Sequence, residues 1–316
     1  MTPDQTRSFQ HYVPRFLLQY FTDDGKLHVY DRERNEFRSQ SSNRTAGEKS
    51  YYVFTDKKGE KHDELEKMFS AIEGTASSII KNLVEGKEKP SMQDKVELAM
   101  FIAALYLRVP ESLKRSEDMA TQMTKEIMSR SARMDQHFND VMDKIEKKLG
   151  KKATPEMRKN IQNSFVQKDY RMKFPKGYML KTMMLNLEEI YKIMVQMEWL
   201  IIKAPEGKAF ISSDHPAFTF NIKPEGFWGS GIGLIALNCE TSVILTPKLA
   251  IYLNQKRKPK SIKFITANSE LIDSLNFRTA LLSSRFVISH SDTLLRKWIG
   301  KTRLNERGPY SSVRVG

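Results

Sequence analysis

The feature that most constrains the fold is a change of hydrophobic pattern near Ala204-Pro205. Before this point, apolar residues recur every three or four positions over long stretches, as on the buried face of an α-helix. After it, they gather in short runs rich in β-branched and aromatic residues, broken by Pro, Gly and Asn, which is typical of strands. The sequence therefore predicts an α+β fold in which a helical core precedes a mostly antiparallel sheet with helices.

Two predicted helices should form the helical core. From His62 to Leu83 the apolar residues lie on one face of an amphipathic helix. From Ser91 or Gln93 to Val109 the helix is apolar nearly all round, so we expect it at the centre of the core, stopped by Pro110. A further long helix is predicted from Leu180 to Ile202.

Short elements are expected at both ends of the chain. A short helix over Tyr12 to Tyr20, with Pro14 in its first turn, should precede a β-hairpin that begins at Lys26. A further strand is predicted from Tyr51 to Phe54. After the sheet, Asn268 should cap a helix, and Ser291 a final short helix that follows the strand RFVISH.

The predicted domain organisation rests on a segment with fewer apolar residues than the rest of the chain. Residues 111–175 are rich in Lys, Glu and Met and keep helical periodicity with fewer apolar positions. We therefore predict a single α+β domain over residues 1–301 with a helical excursion at about 111–175. Residues 302–316 are polar and predict a disordered tail.

The charge of the chain is concentrated near its end. The net charge is +14, and the last 71 residues hold 14 basic against 4 acidic side chains. The run KRKPKSIK contains Lys256, Arg257 and Lys258, which are candidate binding residues for nucleic acid or another polyanion. The alternative is that these lysines only keep the protein soluble, since no aromatic residue interleaves the run.

Composition also bears on the compartment. The most apolar run, Val96 to Leu107, is shorter than the roughly 20 residues that span a bilayer, so no membrane partner is expected. The N-terminal residues lack the apolar segment of a secretory signal. The single cysteine, Cys239, excludes an internal disulfide. These features predict a cytoplasmic protein; the oligomeric state stays open.

His11 is the first candidate catalytic residue. It lies just before Pro14, where the start of the predicted helix would favour a bound anion, and its imidazole titrates near neutral pH. It could act as a general acid or base. The alternative is a surface histidine at a helix cap.

Three charged residues of the predicted core helices form a second group. Glu66 and Glu73 are seven positions apart, so both lie at the margin of the apolar stripe, either as perturbed carboxylates or as a solvated flank. Arg108 ends an otherwise apolar helix. It could snorkel, satisfy terminal carbonyls, or pair with Glu66 or Glu73.

A polar turn, SSDHP, lies between two predicted strands. Asp214 and His215 could contribute to a metal or acid/base site together with His11, or they could simply stabilise the turn. Neither HExxH, CxxC nor GxxxxGK[ST] occurs, and the glycine-rich GFWGSGIG is not followed by a predicted helix. A divalent metal therefore stays an option as cofactor, with no ligand set assigned.

These motifs together resemble a known family. The segments HYVPRFLLQYF, LEKMFSAIE, the Arg108-Val109-Pro110 helix end, FISSDHP and TSVILTP occur in the order found in the uncharacterised bacterial and phage-borne domain-of-unknown-function family DUF 4238. In relatives the turn more often has Asn where His215 stands. The resemblance implies that His11, Glu66, Glu73, Arg108 and Asp214 form one candidate site, but it implies no reaction.

Two main functional hypotheses follow, beside the plainer possibility of a structural or assembly protein. The first is a phosphodiester hydrolase, similar to a nuclease, with His11 as acid/base, Arg108 stabilising anionic charge, and Glu73 with Asp214 as orienting groups or metal ligands. The second is a non-catalytic module that binds nucleic acid or an acidic partner and whose polar cluster is structural. Convergence of these side chains in an open pocket would favour the first, and a buried, mutually satisfied cluster would favour the second.

Overall fold

The chain divides into two compact units. The computed structural model describes residues 9–55, 60–87, 89–221, 239–255 and 262–304. One unit consists of residues 1–112 and 180–316, and the other of residues 113–179. Every strand of the described residues belongs to the first unit, and the second is helical. The predicted α+β class is confirmed.

The described residues form nine α-helices. Their bounds are α1 Arg15–Gln19, α2 Glu64–Glu85, α3 Met92–Leu107, α4 Pro110–Ala132, α5 Asp135–Leu149, α6 Pro155–Gln167, α7 Lys176–Gln196, α8 Ser269–Leu281 and α9 Asp292–Thr302. A 3₁₀ turn, Ser42–Arg44, lies between two of the strands.

The described strands number thirteen. Their bounds are β1 Phe9–His11, β2 Leu27–Asp31, β3 Glu36–Gln40, β4 Gly47–Lys49, β5 Phe54–Thr55, β6 Lys61–His62, β7 Glu198–Lys203, β8 Ser212–Ser213, β9 Ala217–Asn221, β10 Cys239–Thr246, β11 Leu249–Asn254, β12 Ile262–Thr266 and β13 Phe286–Ser289.

The larger sheet has the strand order β12-β7-β11-β10-β9. Its pairs are antiparallel except for β12, which runs parallel to β7. All residues of β10 are buried, so this strand is covered on both faces. The predicted mostly antiparallel sheet is confirmed, and β12 stands at one edge of the described sheet.

A second sheet has the order β3-β2-β13-β8 and joins the N-terminal hairpin to the C-terminal part of the chain. The hairpin is the predicted one, with Leu27 opposite Gln40. Tyr30, Val287 and Trp298 belong to its buried core, to which the last two helices contribute. Asn268 and Ser291 cap these helices as predicted, each by accepting a backbone N–H three residues on.

The two predicted core helices pack together as α2 and α3. Ser91 caps α3 by accepting from the backbone N–H of Asp94, whose carboxylate accepts in turn from the backbone N–H of Ser91. This reciprocal pair satisfies two helix-terminal donors. Because its sequence is apolar all round, α3 is buried on most of its surface, as expected.

Two predicted helices have the wrong boundaries. The long helix ends at Gln196 rather than Ile202, because the run EWLIIK forms β7, which pairs with strands on both sides. The first helix is only Arg15–Gln19, with Pro14 as its N-cap. The backbone N–H groups of Tyr12 and Val13 donate to the Ala46 carbonyl (3.0 and 3.2 Å), which keeps these residues out of the helix.

The predicted strand at Tyr51 to Phe54 is largely wrong as well. Tyr51 and Tyr52 lie in a turn, and only Phe54 and Thr55 pair as a strand. Both tyrosines are buried, although they lie outside a sheet. The two rings contact each other, and the ring of Tyr52 also contacts that of Phe69 on α2.

The helical unit has its own small core. Ala132, Phe138 and Met142 are buried together, and Phe165 packs against them. The predicted excursion covered about 111–175. Of the predicted tail, Thr302 belongs to α9 and Leu304 is buried, while 305–316 lie outside the described residues. Among the helices described, none is long and apolar enough to cross a membrane.

Candidate functional site

His11 is held by the backbone of the 3₁₀ turn. It ends β1, opposite Gly47, and its Nε2 lies 3.1 Å from the carbonyl oxygen of Ser42. Since a carbonyl can only accept, Nε2 carries the proton, and in the neutral ring Nδ1 keeps its lone pair. Burial lowers the pKa of His11, although the Ser42 carbonyl and the Glu73 carboxylate oppose the shift. The expectation that His11 stands at a helix entrance is wrong, since it belongs to a strand.

Gln10, which the sequence did not single out, connects this strand to α2. Its side chain donates from Nε2 to Oε2 of Glu66 (2.5 Å) and accepts at Oε1 from the backbone N–H of Tyr52 (2.7 Å). Gln10 is buried, so both amide groups are satisfied without solvent. Glu66 is thus tied to the N-terminal strand. In the sequence, only the alternation of side chains along a strand could have indicated Gln10. In β1 this alternation points the Gln10 side chain inward, whereas those of Phe9 and His11 point the other way.

Arg108 pairs with Glu73, one of the two partners that the sequence offered. Its Nη1 donates to Oε1 of Glu73 at 2.7 Å, and its guanidinium lies over the ring of Phe69, 5.2 Å from the centroid. Only 1% of the Arg108 side chain is exposed, against 26% for Glu73. The Tyr51 hydroxyl donates to the Arg108 carbonyl (2.8 Å). A guanidinium so buried cannot reach a ligand in solvent.

Asp214 makes its hydrogen bonds elsewhere. Its carboxylate accepts from the backbone N–H groups of Ser284 (2.9 Å) and Arg285 (2.7 Å), and its own N–H donates to the Phe286 carbonyl (3.0 Å). Burial raises the pKa of Asp214 to about 6, against the opposing effect of these donors and of Arg32. Asp214 therefore ties the turn after β8 to the start of β13.

The structure thus brings together four of the five residues that the resemblance grouped. The charges of Glu73 and Arg108 both affect the pKa of His11. Gln10 links Glu66 to β1, the strand that contains His11. We call Gln10, His11, Glu66, Glu73 and Arg108 the polar cluster. Asp214 forms none of its hydrogen bonds with these side chains. Among the described residues, no group of three or more His, Cys, Asp or Glu side chains could hold a metal ion.

A second charged network was not foreseen. Asp31 is fully buried and accepts from Nη2 of Arg38 (2.6 Å) and Nη2 of Arg285 (3.0 Å), and the backbone N–H of Glu33 donates to it as well (3.1 Å). In the sequence, DRERNEFR resembled no more than a polar hairpin turn. Its partner Arg285 is 254 positions away, so no local pattern could indicate the pair.

A basic groove lies apart from the polar cluster. Its volume is about 480 Å³, and its described lining joins the end of α2 and the loop after it to the ends of β7 and β12. None of these lining residues is acidic; they are Leu83, Gly86, Lys87, Lys89, Lys203, Phe264, Ile265 and Thr266. The volume falls in the range of ligand-binding clefts.

The three lysines of the basic groove differ in their partners. Lys87 Nζ lies 2.6 Å from Oε2 of Glu85, in an exposed pair of small energetic value. Lys89 and Lys203 form no ion pair with any carboxylate in the part of the chain that the structure describes. The positive charge of these two side chains is therefore available to an anion. Lys256, Arg257 and Lys258 lie outside the described residues, a few positions before β12.

A match to one protein-family model covers most of the chain and identifies the family. Residues 10–293 match the model of the family described as "Protein of unknown function (DUF4238)". The chain belongs to this family. No curated protein and no solved structure matches the chain.

The DUF4238 match contains both the polar cluster and the groove. It begins at Gln10, includes the helical unit, and ends within α9. The family description names no activity, so the function has to be argued from the side chains. Sequence reasoning found four members of the polar cluster because they sit in compact motifs, whereas the groove is lined by three separate segments and had no motif.

Proposed function

We propose that this protein is a non-catalytic nucleic-acid-binding module that holds its ligand in the basic groove. The observation that carries the proposal is the groove itself, which presents Lys89 and Lys203 without carboxylate partners among the described residues. Lysine side chains of this kind neutralise phosphates and release condensed counterions. The basic run 256–258 lies a few positions before the strand that lines the groove, and adds three positive charges in the same part of the sequence.

The state of the polar cluster supports a structural role for it. Arg108 is buried and paired with Glu73, and Gln10 satisfies both of its amide groups within the protein. Asp214, proposed at first as a metal ligand or orienting group, is buried and accepts from two backbone donors. A polar network anchored by the buried side chains of Gln10 and Arg108 can specify one packing of the core without contacting a ligand. The single cysteine fits a reducing, cytoplasmic setting.

The test is the salt dependence of binding to fluorescein-labelled 20-residue DNA and RNA. We expect Lys89→Gln with Lys203→Gln to weaken binding and to reduce the slope of log K against log salt by about 0.7 to 0.9 for each lysine that contacts a phosphate. The control is Lys26→Gln with Lys297→Gln, which removes the same net charge from exposed positions outside the groove. Equal slopes for both double variants would refute the groove as the binding site.

The basic run has its own variant. Replacing Lys256, Arg257 and Lys258 by Gln should weaken binding and flatten the salt dependence further if the run contacts the same ligand. An unchanged slope would confine the site to the groove.

One observation favours a second candidate, a phosphodiester hydrolase with His11 as general base. His11 is half-buried, its pKa is lowered, and the Ser42 carbonyl orients the ring with Nδ1 unprotonated. A neutral, oriented imidazole is what a general base requires. Glu73 is the acid whose charge opposes the lowered pKa of His11. A divalent metal would belong to this candidate as cofactor, but the described residues include no group of three or more His, Cys, Asp or Glu that could hold it.

The hydrolase is tested by cleavage of labelled RNA and DNA with Mg²⁺ or Mn²⁺ present. We expect His11→Ala to lower cleavage by about 100-fold or more if His11 transfers a proton. His11→Gln, which can still donate to Ser42, controls for the structural hydrogen bond. No cleavage by the unaltered protein, or equal cleavage by all three proteins, would leave His11 with its structural role alone.

A further inference from the structure

The basic groove combines two surfaces that one ligand class would use together. Leu83, Phe264 and Ile265 supply apolar walls, and the lysines stand beside them. Phe264 is 38% exposed, so part of its ring faces solvent. Its ring is accessible from the groove, within reach of a flat apolar group.

The groove lies where two parallel strands of the described sheet, β7 and β12, end. Phe264, Ile265 and Thr266 are consecutive residues of β12, yet all three line the groove. Successive side chains of a strand point to opposite faces, so the groove wraps around the end of β12, where Lys203 of β7 is the partner of Thr266. The end of β12 thus brings the exposed ring of Phe264 and the side chain of Lys203 into one groove.

We infer that the basic groove binds single-stranded nucleic acid, with an unpaired base stacked on Phe264 and the flanking phosphates on Lys89 and Lys203. This inference rests on the proposed function and names its ligand. In a duplex the base faces are covered by neighbouring pairs, so only a single strand can offer a face to the ring. An acidic peptide could use the lysines, but it would have no flat group for Phe264.

The first experiment compares ligands on the unaltered protein. The probes are fluorescein-labelled dT12, a 12-base-pair duplex, a poly-aspartate peptide, and a dT12 in which the four central nucleotides are abasic. We expect dT12 to bind most tightly. The abasic strand should bind more weakly, because its phosphates remain while the bases that could stack are gone.

The second experiment removes the ring. Phe264→Ala should weaken dT12 binding by about 5- to 150-fold, the range for loss of one aromatic stacking platform. Phe264→Leu keeps an apolar side chain and should lose nearly as much, because a leucine has no ring face. The matched control is Phe277→Ala, since Phe277 is 39% exposed and lies on α8 outside the groove. Thermal unfolding of each variant establishes that it folds.

The decisive result is the combination of the two experiments. If a base stacks on the ring, the difference between intact and abasic dT12 should disappear in Phe264→Ala. Equal binding of strand and duplex, tighter binding of poly-aspartate, or an abasic penalty that survives the substitution would overturn this inference. The proposed function survives the first and third of these outcomes; it fails separately if neither nucleic acid binds.

Discussion

At the scale of single residues, buried charge decides which polar side chains can act on a ligand. Arg108 and Asp214 both looked like catalytic candidates, because each is a charged residue in a compact motif. In the structure each is enclosed and bonded to protein groups, Arg108 through Nη1 to Glu73 and Asp214 to two backbone donors. Removing one partner of such an arrangement leaves an uncompensated buried group, so their substitution reports on folding rather than on chemistry.

The pH dependence of stability should reveal Asp214. Its pKa is raised to about 6 in the folded protein, above its ordinary value of 3.8. The folded state therefore binds the proton more tightly, so the stabilising contribution is complete below about pH 4 and is lost as the pH rises through 6. Relative to Asp214→Asn, the unaltered protein should lose about 2 to 3 kcal/mol of unfolding free energy across this interval.

Urea unfolding at several pH values between 4 and 7 measures this difference. Asn cannot titrate, so its curve supplies the pH dependence of all other groups. The sign is decisive, because an ordinary ion-paired aspartate would make the unaltered protein gain stability over the same interval. If the unaltered protein instead gained stability relative to Asp214→Asn as the pH rises, that result would contradict the raised pKa.

At the scale of elements, His11 is positioned by a short strand pair. β1 and β4 align His11 with Gly47, and a Cβ on Gly47 would lie 2.7 Å from the Gln10 carbonyl oxygen and 3.0 Å from the His11 Cα. Both are backbone atoms, so the clash could not be relieved by a change of side-chain rotamer. The close approach of the two strands therefore requires glycine at this position.

Gly47→Ala should separate the pair. We expect a loss of about 1 to 3 kcal/mol of unfolding free energy, the usual cost of overpacking. The control is Gly74→Ala, in the exposed middle of α2, where an added Cβ meets nothing within 4 Å. That substitution should instead stabilise the protein by about 1 kcal/mol. Urea unfolding compares the two, and similar stability of both variants would mean that β1 and β4 are not held this tightly.

At the scale of the whole molecule, the two units differ in the size of their cores. The helical unit is centred on Ala132, Phe138 and Met142, whereas the other unit buries two sheets and several helices. Opening free energy follows the amount of buried apolar contact. We therefore expect amides of α5 and α6 to exchange with deuterium earlier than those of α3 and β10.

Hydrogen exchange followed by mass spectrometry measures this order. Peptides from α5 and α6 should reach full exchange at times when those from β10 still keep protons. Simultaneous exchange of both units would show that they unfold as one cooperative body.

Local pattern alone was enough to determine the α+β class, the core helices, the N-terminal hairpin and the helix caps. Each of these depends on neighbouring residues, through hydrophobic periodicity or a side chain that reaches a backbone group three positions away. The same pattern failed at the end of α7. There the run EWLIIK could continue a helix or form a strand, and only its two partner strands decided between them.

The compact motifs of the sequence also indicated most of the polar cluster and offered Glu73 as one partner for Arg108. They could not decide that Arg108 is buried, that Asp214 bonds to the backbone at 284–286, or that Asp31 pairs with Arg285. The motifs could not indicate the basic groove either, because its lining comes from three separate segments, residues 83–89, 203 and 264–266. Burial and contacts between distant segments are properties of packing, and these decided which charged residues hold the fold and which face a ligand.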